Sequence, residues 1–288
     1  MANEEVTPEQ VGEALKKEDP AMIDQHTHTT ESPDASDNAT IDNYLEKANA
    51  LNIAGLTFTD HVDFDSPVAL FHTLPNFKKL FKAKETLNQR SDFCYFAIGV
   101  ELGWQPDSEP KMRTLTKTYP FDCVIMSLHV GDSLDFHNGD FFNEYGHERA
   151  IIRYFELVLK SLETYHDFDV YGHIDYISRY VPSKIKTYGF SAHKAIIDKI
   201  LKKLIALDKA IEINTSAWKY GLEDFHPRFE VLKRYYELGG RKITLGSDAH
   251  APAHLTKDFD KALVQLKDIG FKYLCHFKHR KCKRVKIS

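Results

Sequence analysis

With 288 residues, 42% hydrophobic and 28% charged, the chain is long enough for a full α/β core and too apolar for wholesale disorder. A net charge of −4 provides no broad basic surface, so nucleic acid is not an expected partner. No apolar run approaches the roughly 18 residues that span a bilayer, and Met1–Pro20 lacks the apolar stretch of a signal peptide, so no membrane partner and a cytoplasmic location are expected.

Residues 1–20 read as an accessory segment ahead of a single domain over 21–288. There Thr7-Pro8-Glu9-Gln10 supplies a cap, a first-turn proline and early acidic charge, predicting a short helix that Asp19-Pro20 ends. Strands are expected at Ala21–Asp24, Ala54–Thr59, Tyr95–Glu101, Cys123–Leu128, Asp169–Gly172, Ala210–Asn214 and Lys242–Gly246. Between them fall helical patterns such as Ile41–Leu51, Glu148–Tyr165, Ala192–Leu207 and Phe229–Gly239. Strand-helix alternation argues for a parallel sheet with crossover helices, and about seven such units argue for a closed or nearly closed barrel.

A second regularity runs through the polar residues. His26 and His28 follow the first strand, Asp60 and His61 the second, and Glu101 closes the third. His129, His173 and Asn214 follow the next three, and Asp248 with His250 the last. Active sites of parallel α/β barrels gather at the carboxyl ends of the strands, so these side chains are expected to converge. Imidazoles and carboxylates without nearby thiolates suit zinc, manganese or iron in an open, hydrolytic site. The set is too large for one ion, and two or three metals are expected.

Asp24-x-His26-x-His28-Thr29, Thr59-Asp60-His61, Glu101, the His129 and His173 strand ends and Ser247-Asp248-Ala249-His250 together resemble the polymerase-and-histidinol-phosphatase (PHP) superfamily. Within it the chain looks most like the histidinol-phosphate phosphatases. The resemblance implies a distorted seven-stranded (β/α)7 TIM-like barrel with a trinuclear site. His26, His28, Glu101 and Asp248 would hold one metal; Glu101 would bridge to a second, completed by His129 and His173; Asp34, His61 and His250 would hold the third. Asp34 stands where many members carry a histidine. There is then no protein nucleophile: a metal-bound hydroxide attacks the phosphorus of a small phosphorylated substrate, L-histidinol phosphate, in histidine biosynthesis. Alternatives are another phosphoesterase, acting on phosphotyrosine protein or nucleotides, and a non-catalytic metal-binding module.

Arg153 and Arg179 are candidates for holding the phosphate, because guanidinium does not titrate and binds oxyanions bidentately. Asp24 and Asp60 are expected to orient histidines by hydrogen bonding rather than to bind metal. Asn214 is read as facing the pocket, Trp104 as packing and Lys219 as surface. Gly131–Gly146 is a candidate lid or specificity loop. The four cysteines, Cys94, Cys123, Cys275 and Cys282, form no C-x-x-C pair and are expected reduced. The Cys275–Cys282 stretch is read as a solvated basic strand and not as a zinc finger.

Overall fold

The structure is a computed structural model that describes residues 22–89, 94–181, 189–222 and 224–287. The accessory segment at 1–20 and its expected helix lie outside those residues. In chain order the strands are β1 (Ile23–Thr27), β2 (Gly55–Phe58), β3 (His61–Val62), β4 (Tyr95–Ile98), β5 (Val100–Gly103) and β6 (Val124–Ser127). After them come the short pair β7 (Val130–Gly131) and β8 (Leu134–Asp135), then β9 (Val170–Tyr171), β10 (Ala210–Asn214) and β11 (Ile243–Gly246). The hairpin β12 (Tyr273–Lys278) and β13 (Lys281–Lys286) ends the chain.

Two of the expected strands are each broken once. β2 and β3 are halves of one barrel strand interrupted at Thr59-Asp60, and β4 and β5 are halves of the next, interrupted at Gly99. Because of these breaks the hydrogen-bonded order reads as two parallel sheets, β1-β2-β4 and β11-β10-β9-β6-β5-β3. The first and last strands then meet: Thr27 bridges Ala249 in parallel, Asp248 N donates to His26 O (2.8 Å) and His28 N to Ala249 O (2.9 Å). Seven strand positions thus close a distorted barrel, as expected. The first strand begins two residues later than the sequence suggests and carries His26 within it.

The expected helices appear at Ile41–Ala50, His147–Thr164, Phe190–Ala206 and Phe229–Glu237. Ile41–Ala50 begins where Thr40 accepts from Asn43 N, and it turns Tyr44, Leu45 and Ala48 inward. Each large apolar side chain so buried contributes about 1.5–3 kcal/mol. Further helices at Phe77–Leu87, Glu109–Thr118 and Phe259–Ile269 complete the outer layer. No helix among the described residues is long and apolar enough to cross a membrane.

Three sequence expectations change here. The Cys275–Cys282 stretch is not a solvated strand: it folds back as a hairpin under the barrel, where Cys275 and Phe277 pack with Cys123, Ile125, Val170 and Ala210. The hairpin sets Phe277 opposite Cys282 and Arg284 opposite Cys275, which leaves the two cysteines diagonal neighbours on one face. They form a disulfide with Cα atoms 5.3 Å apart, so the expectation of four reduced cysteines is overturned; Cys123 is a buried thiol. Gly131–Gly146, read as a loop, holds strand β8 and a helix at Asp140–Tyr145, and it is fastened by the buried Phe136, Phe141 and Phe142.

Candidate metal centre

The broken strands give the site its shape. β1 shifts register against β2 between Asp24 and Thr27. In that stretch Gln25 reaches down to the terminal hairpin, donating to Cys275 O (2.5 Å) and accepting from Phe277 N (2.8 Å), while His26 reaches into the barrel. Gly246 is what makes room there: a Cβ on it would lie 2.1 Å from Glu212 Oε1 and 2.5 Å from His26 Cβ. Beyond β11 the chain turns through Asp248 at φ 52°, a left-handed conformation that costs an aspartate energy and is typical of a functional turn.

Glu101 stands at the centre, fully buried, with its two oxygens facing different groups. Oε2 lies 2.9 Å from His61 Nδ1, 3.2 Å from His26 Nε2 and 3.6 Å from His28 Nε2. Oε1 lies 2.8 Å from His173 Nε2 and 3.1 Å from His129 Nε2, and it accepts from Ser127 Oγ (2.6 Å). Asp248 Oδ1 lies 3.3 Å from His28 Nε2 and 3.7 Å from His26 Nε2. Asp34 Oδ2 lies 3.0 Å from His250 Nε2 and 3.7 Å from His61 Nε2, whose rings meet at 3.3 Å between Nε2 atoms. All nine candidate ligands are therefore drawn into one cluster.

The far sides of the rings show what the near sides are for. His26 Nδ1 meets Glu212 Oε1 at 2.7 Å, His129 Nδ1 meets Asp63 Oδ1 at 2.8 Å and His250 Nδ1 meets Asp248 O at 3.0 Å. His28 Nδ1 meets Ser32 Oγ at 3.0 Å, and that hydroxyl gives its own proton to Asp60 Oδ1 (2.8 Å). Each of these partners can accept, so each ring, when neutral, keeps its proton on Nδ1 and presents a bare Nε2 lone pair. Those lone pairs point at carboxylate oxygens. Acceptor against acceptor is repulsive unless a cation lies between, and His26 Nε2, His28 Nε2 and Glu101 Oε2 are buried with no hydrogen-bond partner. Four overlapping groups of three ligand atoms fall within 4.8 Å of one another: His28, His61, His250; His26, His28, Glu101; His26, His173, Asp248; and His61, Glu101, His129. The donor set fits divalent metal ions.

Without metal, protons have to do that work. Burial pushes Glu101 up, but the charges of His26, His129 and His61 hold its carboxyl well below the usual range. Burial likewise lowers His61, yet Glu101 and Asp34 bring it up to about 9.

The supporting residues differ in part from expectation. Asp60 accepts from Thr29 N (2.7 Å) and Ser32 Oγ, and through Ser32 it orients His28. Asp24 meets no imidazole among the described residues; it accepts from the backbone N–H groups of Ser247 and Thr256 (3.0 Å each) and so ties β1 to the turn after β11. Burial pushes its carboxyl up to about 6 against those bonds. Arg153 is engaged elsewhere, bidentate on Asp132 at 2.7 Å and beside Glu156, and touches none of the ligands. Arg179 is at the cluster: its Nη2 lies 2.6 Å from Ser216 Oγ and 3.8 Å from Asp248 Oδ2. The rings of Tyr176 and Tyr220 cover it at 4.6 and 4.1 Å, and its buried Nε has no partner. Asn214 faces the interior, Trp104 packs and donates to Glu109, and Lys219 lies against Tyr220 at the surface. Sequence reasoning missed Glu212, Asp63, Ser32 and Ser216. Glu212 alone carried a signal, as a charged residue inside the apolar run Ala210–Asn214.

The PHP domain family model matches residues 24–216, the greater part of the chain. The chain belongs to the PHP domain family. It is similar to a probable histidinol-phosphatase of Clostridium acetobutylicum, 30% identical over 253 residues that cover 87% of this chain and 95% of that protein. A histidinol-phosphatase of Lactococcus lactis is 29% identical over 92% of this chain and 98% of its own length. Among solved structures, a histidinol phosphate phosphatase from Lactococcus lactis, complexed with zinc, L-histidinol and phosphate, superposes with a TM-score of 0.83 at 26% identity. That match covers 91% of this chain and 99% of the other. The distorted PHP barrel that the family resemblance implies is therefore the fold of this chain.

Proposed function

We propose that this PHP protein is a metal-dependent phosphoric monoester hydrolase that cleaves L-histidinol phosphate to L-histidinol and phosphate, a step of histidine biosynthesis. The observation that carries the reading is the ring of bare imidazole nitrogens around Glu101, with the buried Arg179 beside it. Support for the substrate comes from the Lactococcus lactis structure that holds zinc, L-histidinol and phosphate.

Two to three divalent ions (zinc, manganese or iron) suit the ligands. His26, His28, Glu101 and Asp248 would hold one. Glu101 would share a second with His129 and His173, and Asp34, His61 and His250 would hold a third. Such ions supply Lewis acidity, which brings the pKa of water towards neutrality and offsets charge on phosphoryl oxygens. The protein's own part is orientation. Glu212, Ser32, Asp63 and the Asp248 carbonyl fix four imidazoles by their Nδ1 atoms. Arg179, stacked between Tyr176 and Tyr220, offers its free Nε–H edge to a phosphate oxygen. No side chain is assigned as nucleophile.

Phosphate release by the metal-loaded protein tests this directly. L-histidinol phosphate should be turned over with a kcat/KM about a hundredfold or more above those of p-nitrophenyl phosphate and a phosphotyrosine peptide. Equal values on all three would remove the substrate assignment, and metal uptake without turnover would leave a binding module.

A further inference from the structure

Glu212, Asn214 and Ser216 alternate along β10 and the turn after it, and together they connect the metal ligands to Arg179. The polarity of the links as far as Asn214 is fixed. His26 Nδ1–H donates to Glu212 Oε1 (2.7 Å). Glu212 Oε2 can only accept, so Asn214 turns its Nδ2–H₂ towards it (3.2 Å) and keeps Oδ1 for the other side. That oxygen accepts from Ser216 N (3.0 Å) and from Ser216 Oγ (2.6 Å). The Ser216 hydroxyl faces two acceptors, Asn214 Oδ1 at 2.6 Å and Asp248 Oδ2 at 3.2 Å, and whichever takes its single proton, a lone pair is left for Arg179 Nη2 (2.6 Å). All three residues are buried, so water does not compete for these bonds.

The arginine needs such a contact. The rings of Tyr176 and Tyr220 lie against the guanidinium but give it little directional restraint. Tyr180 also hydrogen-bonds the arginine, and the short bond from Nη2 to Ser216 adds the directional contact on the side of the metal ligands, which helps to set where the Nε–H edge points. That bond also keeps Nη2 at 3.8 Å from Asp248 Oδ2, a loose ion pair with a proposed metal ligand.

We propose that Ser216 is a positioning residue for Arg179, holding the guanidinium in register with His26 through Asn214 and Glu212. The proposal rests on the phosphate role given to Arg179 above. Its test uses orthophosphate as the probe, titrated calorimetrically into the metal-loaded protein, alongside kcat and KM for L-histidinol phosphate and metal content. Ser216→Ala should weaken orthophosphate binding and raise KM by about 5- to 20-fold, the effect of losing one hydrogen bond to a charged group, with kcat within about threefold of the parent. Metal content should not change. Ser216→Thr keeps the hydroxyl and should stay within about twofold of the parent. In an Arg179→Ala background, Ser216→Ala should have no further effect, because the serine acts through the arginine.

Parent-like phosphate affinity in Ser216→Ala overturns the positioning role, and so does an undiminished penalty in the Arg179→Ala background. A Ser216→Thr variant that melts like the parent but binds phosphate as poorly as Ser216→Ala overturns it as well. The two readings separate cleanly. If Arg179→Ala binds phosphate normally, the phosphate role of the arginine falls and the positioning role with it. If Arg179→Ala is weakened and Ser216→Ala is not, only the positioning role falls.

Discussion

At the amino end of the barrel strands, buried carboxylates are met by donors. Asp122 accepts from Ile98 N (3.0 Å) and His279 N (3.2 Å) and pairs with Lys84, while Asp169 accepts from Val124 N (2.8 Å) and pairs with Arg280. At the carboxyl end, Glu101 and Asp248 are met by imidazole nitrogens, and in His26 and His28 the far side of the ring faces an acceptor that can hold its proton. The same fold thus treats buried charge in two ways. One end neutralises it with its own side chains and gains a fixed floor. The other surrounds it with imidazoles that balance it only by taking up extra protons, a buried cluster that bound cations would satisfy better.

Substitutions at the two ends should therefore separate activity from stability. The largest effect is expected for Glu101→Ala, which removes the carboxylate shared by five histidines. Turnover of L-histidinol phosphate should fall by about three orders of magnitude or more, with reduced metal content by elemental analysis. Parent-like activity would break the site map. Next, stripping the protein with a chelator should lower its Tm by roughly 5–15 °C, reversibly on adding metal back, because ions that bind only the folded state stabilise it by mass action. A melting curve indifferent to metal would contradict a centre that bound cations satisfy better.

At the opposite end, Arg280→Met should cost roughly 2–3 kcal/mol in urea unfolding. That is less than for a fully buried pair, because the Arg280 side chain is 27% exposed. Metal content and kcat/KM should stay at parent values; a loss of either would show that the ends are coupled. The smallest effect concerns a pair on the outer layer, Asp198 with Arg234 at 2.7 and 2.9 Å. Hydrogen bonds from Arg234 and Lys194 hold the Asp198 carboxyl below its ordinary 3.8, so its contribution is complete above that pH and is lost as pH falls through the lower folded value. Asp198→Asn should lower Tm by roughly 1–2 °C at pH 7, and the gap should close in melting curves recorded below pH 4. A gap that persists there would mean the carboxylate charge is not the source.

The carboxyl end was the more legible of the two from sequence. Seven apolar runs in order point to the barrel, six of them stop at a histidine or carboxylate, and the family resemblance sorts those residues into ligands. The family resemblance added Asp34, which no strand end marks. What supports the ligands was harder to read. Ser32 and Ser216 are ordinary loop serines until folding sets them beside His28 and Arg179. Glu212 sits within an apolar strand, where only its inward register beside His26 gives it meaning. Arg153 was a reasonable candidate by position, but Asp132, a neighbour in space and not in sequence, takes up its guanidinium. The floor was misread for a related reason. Cys275 and Phe277 sit in a stretch rich in basic residues, and their burial comes from packing against Cys123, Ile125, Val170 and Ala210, which come together only once the barrel has formed.

The closure between Thr27 and Ala249 sets the His28 ring against that of His250 at 4.1 Å, joining the first strand of the barrel to the last turn of the site. An ion held from both sides of that seam would act as a removable cross-link between distant parts of the chain. Long loops are costly to close, and a ligand that bridges one repays part of that entropy only after every intervening strand is in place. Metal uptake would then mark the completion of folding, and the seam, not the outer helices, would be where a metal-starved protein first comes apart.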